Sequence, residues 1–192
     1  MLSVVIPVKN NAKTLPLVLV RASRHLMRDA IAHEIIIIDN NSSDASLEIA
    51  ERLITIIPNL QIIIYKTNTE LGLVIKEGAS KAKGEYIIVL PADGSVSVEE
   101  FHKMKRYLEN GEDIIWGLRN YEDSFKIIYN LFARIPYFRT ILDSTSKIFC
   151  FKNSFFKKIL LQTNINNIKS IRDFLQLLKN YQCKIKYLAL NI

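Results

Sequence analysis

Residues 34–39 read Glu-Ile-Ile-Ile-Ile-Asp, four β-branched residues in a row between two acids. An apolar run without polar alternation is buried on both faces, which is typical of a central strand in a parallel sheet. The polar residues 40–44 (Asn-Asn-Ser-Ser-Asp) follow at once, and Ser43 or Asp44 is a candidate cap for the helical pattern that comes next. This stretch therefore predicts a parallel sheet that is covered by helices.

Similar apolar runs lie on both sides of this strand and alternate with helical patterns. Strands are predicted at residues 2–6, 61–65 and 86–90, with helices after Thr14, after Asp44 and over residues 74–81. Beyond Pro91 the pattern is less regular, with strands predicted at residues 114–118, 146–151 and 184–190, and helices at 98–108, 125–134, 153–161 and 172–180. We expect a single α/β domain over residues 1–192, built on a mostly parallel Rossmann-like sheet with helices on both faces.

The composition is that of a globular chain: 49% of the 192 residues are hydrophobic and 23% are charged. The net charge of +7 favours an anionic partner. No apolar run approaches the roughly 20 residues of a membrane-spanning helix, and the N-terminus lacks the basic region of a secretory signal. Cys150 and Cys183 are too few for a disulfide framework. We expect a cytoplasmic protein, with peripheral membrane contact as an open alternative.

Polar residues cluster where three of the predicted strands end, at residues 7–11, 39–44 and 91–95. Ligands of parallel α/β sheets bind beyond the carboxyl ends of the strands, so these segments predict a binding site. The first strand is followed by no dinucleotide-binding glycine motif, and the chain has no phosphate loop that ends in Gly-Lys-Ser/Thr. Hydride transfer and ATP-driven chemistry are therefore disfavoured.

Three segments at these strand ends resemble a known family. Val-Val-Ile-Pro-Val-Lys-Asn-Asn (4–11), Ile-Ile-Ile-Ile-Asp-Asn-Asn-Ser-Ser-Asp (35–44) and Gly-Glu-Tyr-Ile-Ile-Val-Leu-Pro-Ala-Asp-Gly (84–94) are similar to the consecutive motifs of family 2 glycosyltransferases of the GT-A fold. Segments 113–119 and 143–152 are most similar to the polyprenyl-phosphate hexose synthase branch. The resemblance implies an inverting transfer of a hexose from a UDP- or GDP-linked sugar to a lipid phosphate, a glycan or a protein hydroxyl. It also implies a nucleotide-sugar half (1–97) and an acceptor half (98–192).

The resemblance assigns roles to individual positions of this sequence. Asp39 matches the acid that contacts the nucleotide base, and Asp93 matches the last Asp of the Asp-x-Asp motif, which holds Mg²⁺ or Mn²⁺ on the diphosphate. The other nucleotide-sugar contacts implied are Pro7, Val8, Asn10, Ala92 and Arg119. Pro91 stands where the first Asp of the metal motif is expected, and Asn11 and Asn40 replace common acids. Metal binding is therefore expected to be weak, or to be partly replaced by cations such as Arg119.

The resemblance offers two candidates for a general base near the acceptor. Asp173 falls where the family carries an acid at the start of a late helix, and Asp143 lies in a motif that borders the acceptor site. A hydroxyl acceptor needs such a base to remove its proton. A phosphate monoester is already ionised near neutral pH, so a lipid phosphate would need none.

Two other functional classes stay open. A non-catalytic GT-A-like module that binds a nucleotide or a partner is the alternative that Pro91 favours. A sugar-phosphate nucleotidyltransferase is disfavoured, because residues 7–14 contain no glycine for its phosphate-binding loop. Nucleic-acid binding is not expected, since neither a recognition helix nor an aromatic sheet platform is evident.

Several candidates also have purely structural interpretations. Asp39 could end a strand in a turn, Asp93 before Gly94 is a common turn pair, and Asp173 could complement a helix dipole. The three histidines are scattered along the chain and predict no metal site, and Trp116 is expected in the core. Residues 125–139 interleave aromatic and basic residues, a pattern that fits an interfacial helix or a core-facing one.

Overall fold

The computed structural model describes residues 1–119, 148–162, 173, 180–181 and 183–190, in which seven strands form one mixed sheet. The strands are β1 Leu2–Val8, β2 His33–Asn40, β3 Leu60–Tyr65, β4 Tyr86–Val89, β5 Ile114–Arg119, β6 Phe149–Lys152 and β7 Ile185–Leu190. Their order is β3-β2-β1-β4-β6-β5-β7. All pairs are parallel except the two made by β6, which runs antiparallel to β4 and to β5. The predicted α/β class with a mostly parallel sheet is confirmed.

Helices cover both faces of this sheet, as predicted. The described helices are α1 Leu15–Arg28, α2 Ser46–Leu53, α3 Leu71–Lys81, a 3₁₀ turn at Val98–Glu100, α4 Phe101–Glu109 and α5 Asn153–Gln162. The core on one face contains α1, α2 and α4, and the core on the other contains α3 and α5. The predicted helix 125–134 lies outside the described residues, as does most of the predicted helix 172–180. Each described helix is too short or too polar to span a lipid bilayer.

The four isoleucines of β2 contribute side chains to both hydrophobic cores, one on each face of the sheet. Ile35 and Ile37 pack into the core with α1, whereas Ile36 and Ile38 pack into the core with α3, and all four are fully buried. Successive side chains of a strand point to opposite faces, so an unbroken apolar run needs cover on both sides. The position of β2 inside the sheet, between β1 and β3, is consistent with this stretch.

Gly78 allows α3 to lie unusually close to the sheet. A Cβ atom at this position would come within 2.3 Å of Ile38 Cδ1 and 2.6 Å of Val5 Cγ1. Alanine in a helix is normally favoured over glycine by about 1 kcal/mol, but overpacking of a filled core costs about 1–3 kcal/mol.

We expect Gly78→Ala to lower the free energy of unfolding, measured by urea denaturation. Ser80→Ala, on the exposed side of the same helix, is the control and should leave stability nearly unchanged; a stabilised Gly78→Ala would contradict the close approach.

The two cysteines differ in burial and are both free thiols. Burial raises the pKa of the Cys150 thiol well above its usual range, and it raises that of half-buried Cys183, where the charge of Asp113 adds to the effect. The thiolate is the reactive form.

We therefore expect Cys150 to resist a thiol reagent at pH 8 until the protein is unfolded. Cys183 should react slowly at this pH, and its rate of reaction should increase as the pH rises. Thiol titration with and without denaturant measures this, and rapid native labelling of Cys150 would contradict its position in β6.

Candidate functional site

The loops that follow β1 and β2 are linked by hydrogen bonds from both sides. The backbone N–H of Asn10 donates to Ser42 Oγ at 3.1 Å, and the backbone N–H of Ser43 donates to Asn10 Oδ1 at 2.8 Å. Asn10 and Asn41 have left-handed backbones with φ of 55° and 57°, a conformation that asparagine tolerates better than most residues. The two strand ends are thus fixed relative to each other before any ligand binds.

Asp44 is a second link between these loops, and the prediction that it caps a helix is wrong. Helix α2 begins after Ala45 without a side-chain cap. Instead, Asp44 Oδ2 accepts from the backbone N–H of Ala12 at 3.0 Å and Oδ1 accepts from that of Ser46 at 3.0 Å. The hydrogen bond from the Ser46 hydroxyl, followed by that from Ala12, holds the pKa of Asp44 below its usual range. The carboxylate therefore remains charged at neutral pH and ties the two loops together.

Asp39 lies near the end of β2, opposite Val8 of β1 in the strand register. It is buried, with 2% of its surface exposed, and its Oδ2 accepts from the backbone N–H of Ser42 at 3.1 Å. Its Oδ1 is buried and has no hydrogen-bond partner among the described residues. The predicted turn is therefore present, but it uses only one oxygen. A buried acceptor without a donor is costly, which makes this oxygen a candidate contact for a ligand N–H.

A cavity of about 300 Å³ opens at the carboxyl ends of β1, β2 and β4. Of the predicted contacts, Pro7, Val8, Ala92 and Asp93 line it. Asp39 and Asn10 do not line it: Asp39 lies beside the lining residue Val8, and the Asn10 side chain is bound to Ser43. The strand-end clustering therefore predicted the place of the cavity.

The structure does not describe contacts between the cavity and the remaining predicted site residues, Arg119, Asp173 and Asp143. Arg119 is the last residue of β5, and the carboxyl ends of β5 and β4 lie at the same edge of the sheet. The two strands are separated by two strand spacings, which is about 10 Å. The structure describes only the backbone of Arg119. Asp173 is helical and half-buried, and no contact of it with the cavity is described. Asp143 lies outside the described residues.

Among the described residues that line the cavity, Asp93 is the one carboxylate. It is exposed, and its Oδ1 accepts from the backbone N–H of Ser95 at 2.9 Å. The loop that carries it is fixed to α1, because Thr14 Oγ1 donates to the carbonyl of Ala92 at 2.7 Å. Mg²⁺ is commonly held by one or two carboxylates together with substrate phosphates. The lining residues therefore fit a divalent ion shared with a bound diphosphate, while Pro91 in the cavity wall provides no second carboxylate.

Sequence reasoning missed the contribution of the segment before α3 to this cavity. Thr69 lines the wall and is bound to Asn40 by two hydrogen bonds, from Asn40 Nδ2 to the Thr69 carbonyl at 2.7 Å and from the Thr69 N–H to Asn40 Oδ1 at 2.8 Å. The signal was available, because this segment follows the predicted strand at residues 61–65. The rule that ligands bind beyond the carboxyl ends of parallel strands therefore applies to this segment as well.

The comparison with known families decides the assignment of the chain. The family model described as Glycosyl transferase family 2 matches residues 3–176, which is most of the sequence. The chain belongs to this family. The resemblance of the three strand-end motifs is thereby confirmed.

Curated relatives cover the same region at moderate identity. The undecaprenyl-phosphate 4-deoxy-4-formamido-L-arabinose transferase of Proteus mirabilis is 34% identical over 125 residues, which are 64% of this chain and 38% of the relative. The dolichyl-phosphate beta-glucosyltransferase of Dictyostelium discoideum is 27% identical over 148 residues, which are 73% of this chain and 45% of the relative. The chain thus spans less than half the length of these family 2 relatives.

Solved structures share the fold of this family 2 chain. Glucosyl-3-phosphoglycerate synthase of Mycobacterium tuberculosis, determined with Mn²⁺ and UDP-glucose, aligns with a TM-score of 0.69 and 12% identity over all of this chain and 70% of its own. A mannosyltransferase of Pyrobaculum calidifontis, determined with GDP-mannose and Mn²⁺, aligns with a TM-score of 0.69 and 12% identity over 98% of this chain and 54% of its own. These likenesses confirm the predicted GT-A-like fold.

Proposed function

We propose that this chain is an inverting glycosyltransferase that moves a hexose from a UDP- or GDP-linked sugar to a lipid phosphate. The observation that carries the proposal is the cavity at the strand ends, with Asp93 in its wall and the buried Asp39 beside it. Family membership and the names of the curated relatives, which act on undecaprenyl or dolichyl phosphate, support the choice of acceptor. A glycan or a protein hydroxyl is the alternative acceptor.

In this proposal, the nucleotide binds against the first half of the chain, residues 1–97. Asp39 Oδ1 accepts a hydrogen bond from an N–H of the base, while Pro7 and Val8 form the wall on which the base rests. The links between the two loops hold these groups in place, so binding needs little rearrangement. Asn10 acts in this scheme through its contact with Ser43, as a positioning residue.

The reaction forms a bond between the acceptor oxygen and the anomeric carbon and breaks the bond from that carbon to the diphosphate. Attack from the opposite side inverts the configuration, and the nucleoside diphosphate leaves with the bonding electrons. A divalent ion, Mg²⁺ or Mn²⁺, supplies charge neutralisation of the leaving diphosphate when it is bound at Asp93. Arg119, at the end of β5, is proposed to contribute a positive charge to the same phosphates.

The acceptor is proposed to bind against the second half of the chain, residues 98–192. A lipid phosphate is already an anion and needs no proton removed, so the net charge of +7 favours its approach. Should the acceptor be a hydroxyl, Asp173 or Asp143 would take its proton. A lipid acceptor also requires contact with a membrane surface, for which the basic and aromatic residues 125–139 are the proposed segment. We place the protein at the cytoplasmic side of that surface.

The proposal is tested with the whole chain and a panel of UDP- and GDP-sugars in the presence of Mn²⁺. Calorimetry measures donor binding, and release of the nucleoside diphosphate measures transfer to a short polyprenyl phosphate. We expect one nucleotide class to bind and turnover to depend on the lipid phosphate. Absence of binding for every donor would overturn the assignment. Binding without transfer to any acceptor would instead favour the non-catalytic module, which Pro91 in the cavity wall leaves open.

A further inference from the structure

A cluster of three potential metal ligands lies where the end of α1 meets the start of α4, and none of its members lines the cavity. The Nε2 atom of His102 is 2.9 Å from Asp29 Oδ2, and the Nε2 atom of His25 is 3.3 Å from the same oxygen. All three ligand atoms lie within 4.8 Å of one another. His25 and Asp29 are four residues apart on one helix, so their side chains share a face.

The buried side chain of His25 gives an independent indication of a ligand. Only 9% of its surface is exposed, and its Nε2 atom is buried without a hydrogen-bond partner among the described residues. That nitrogen lies 3.3 Å from Asp29 Oδ2 without making a hydrogen bond to it. Buried polar atoms normally have partners, so an unpaired ring nitrogen next to a carboxylate and a second imidazole calls for a further group.

We propose that His25, Asp29 and His102 form a Zn²⁺ site. Imidazole nitrogens and a carboxylate oxygen are the ligands that zinc commonly takes, at about 2.0–2.2 Å in a tetrahedron. Such a tetrahedron separates neighbouring ligand atoms by about 3.4 Å, close to the 2.9 Å and 3.3 Å found on Asp29. Three protein ligands leave the fourth position to water, since His102 is half exposed.

The groups around the site explain how His25 would change on binding. In the structure, a guanidinium nitrogen of Arg28 lies 2.7 Å from His25 Nδ1, which therefore acts as the acceptor and leaves the proton on Nε2. Zinc needs the Nε2 lone pair of both histidines. The His25 proton must therefore move to Nδ1, and Arg28 must leave that atom; the Nε2 proton that His102 donates to Asp29 must likewise move to Nδ1 of His102. Glu99 Oε1 lies 3.8 Å from Nδ1 and can accept the new N–H. Arg28 also donates to Asp29 Oδ1 at 2.9 Å, so Oδ2, which lies beside both histidines, is the oxygen that would bind the ion.

A zinc ion at this site would link α1 to α4, two helices that are far apart in sequence. His25 and Asp29 belong to the end of α1, and His102 belongs to α4, which follows the strand that leads to Asp93. An ion at this place would fix α4 against α1 without contacting the nucleotide cavity. We infer a stabilising role, distinct from that of the ion at Asp93.

The test uses the whole chain without a histidine tag, treated with EDTA and then titrated with Zn²⁺ by calorimetry. We expect one ion per chain, a rise in Tm of about 5–10 °C at saturation, and the visible spectrum of a tetrahedral site when Co²⁺ replaces Zn²⁺. His102→Gln and Asp29→Asn should each weaken binding by about 100-fold or more, because even outer-shell partners of a zinc site are worth about 10–100-fold. Glu109→Gln, which removes another exposed carboxylate from α4, should bind zinc like the unaltered chain.

Two further variants distinguish the proposed zinc site from the proposed metal site at Asp93. Asp93→Asn should retain zinc binding, and His102→Gln should retain Mn²⁺-dependent nucleotide binding, because the two sites share no residue. No zinc binding tighter than about 100 µM, or equal binding by His102→Gln, would overturn the proposal and make the cluster an ion-pair network between Asp29 and the two histidines.

Discussion

Replacing Asp93 with asparagine is expected to lower kcat/KM for sugar transfer about 100-fold to 1,000-fold in the presence of Mn²⁺. Asp93 is the one carboxylate among the described residues that line the cavity, so no second acid of this described wall can replace it as a ligand. Asparagine keeps the shape and can still accept from the Ser95 N–H, but it removes the charge that we propose holds a divalent ion on the diphosphate. The measurement is the rate of nucleoside diphosphate release, together with the Mn²⁺ dependence of nucleotide binding.

Glu51→Gln is the matched control for this variant, because it removes one negative charge from the exposed face of α2 and leaves the cavity wall unchanged. It should retain full activity and unchanged metal dependence. If Asp93→Asn instead bound nucleotide and metal as the unaltered chain does, Asp93 would be no more than a turn residue bound to Ser95. The loop after β4 would then need another role.

Replacing Asp39 with asparagine is expected to weaken nucleotide binding about 10-fold to 100-fold without unfolding the protein. Hydrogen bonds to charged groups are worth about 1.5–3 kcal/mol, and the Oδ1 atom is buried with no partner of its own among the described residues. Asparagine can keep the contact with the Ser42 N–H through its own oxygen, while an amide NH₂ then replaces the free acceptor. Calorimetry with UDP and GDP measures the loss, and a thermal melt verifies the fold.

Asp113→Asn provides the matched control for Asp39. The Asp113 carboxylate also accepts from a backbone N–H, that of Lys184 at 2.9 Å, but it lies before the start of β5 and hence at the opposite edge of the sheet. A general effect of removing such a carboxylate would appear in both variants. Equal nucleotide affinity in Asp39→Asn and the unaltered chain would leave Asp39 with a structural role in the turn only.

The sheet was predictable because its strands are buried on both faces. The isoleucines of β2 fill both cores, so the pattern that decided their burial also decided the position of the strand. The direction of β6 was not predictable, since a short apolar strand such as Phe149–Lys152 carries the same pattern in either direction. The pairing of β6 with β4 and β5 in the folded sheet shows that direction.

The candidate site was predictable to the extent that its residues follow strands. Pro7, Val8, Ala92 and Asp93 meet at one cavity because parallel strands end at one edge. The role of Asp44 was not predictable in this way, because its partner Ala12 lies 32 residues away on another loop. The histidine cluster was missed for the same physical reason: the packing of α1 on α4, and not proximity in sequence, brings His102 to Asp29.

The antiparallel direction of β6 has a consequence for the 28 residues between β5 and Ile148. Strand β5 ends at the edge that carries the cavity, and β6 begins at that edge, with Phe149 opposite Val89. Both attachment points are therefore held by the sheet: the N–H of Gly117 donates to the carbonyl of Ile148 at 3.1 Å. Exchanging these 28 residues for those of another member of the family would keep the two anchors in register, so under the proposed function this exchange tests acceptor preference without changing the described residues that line the cavity.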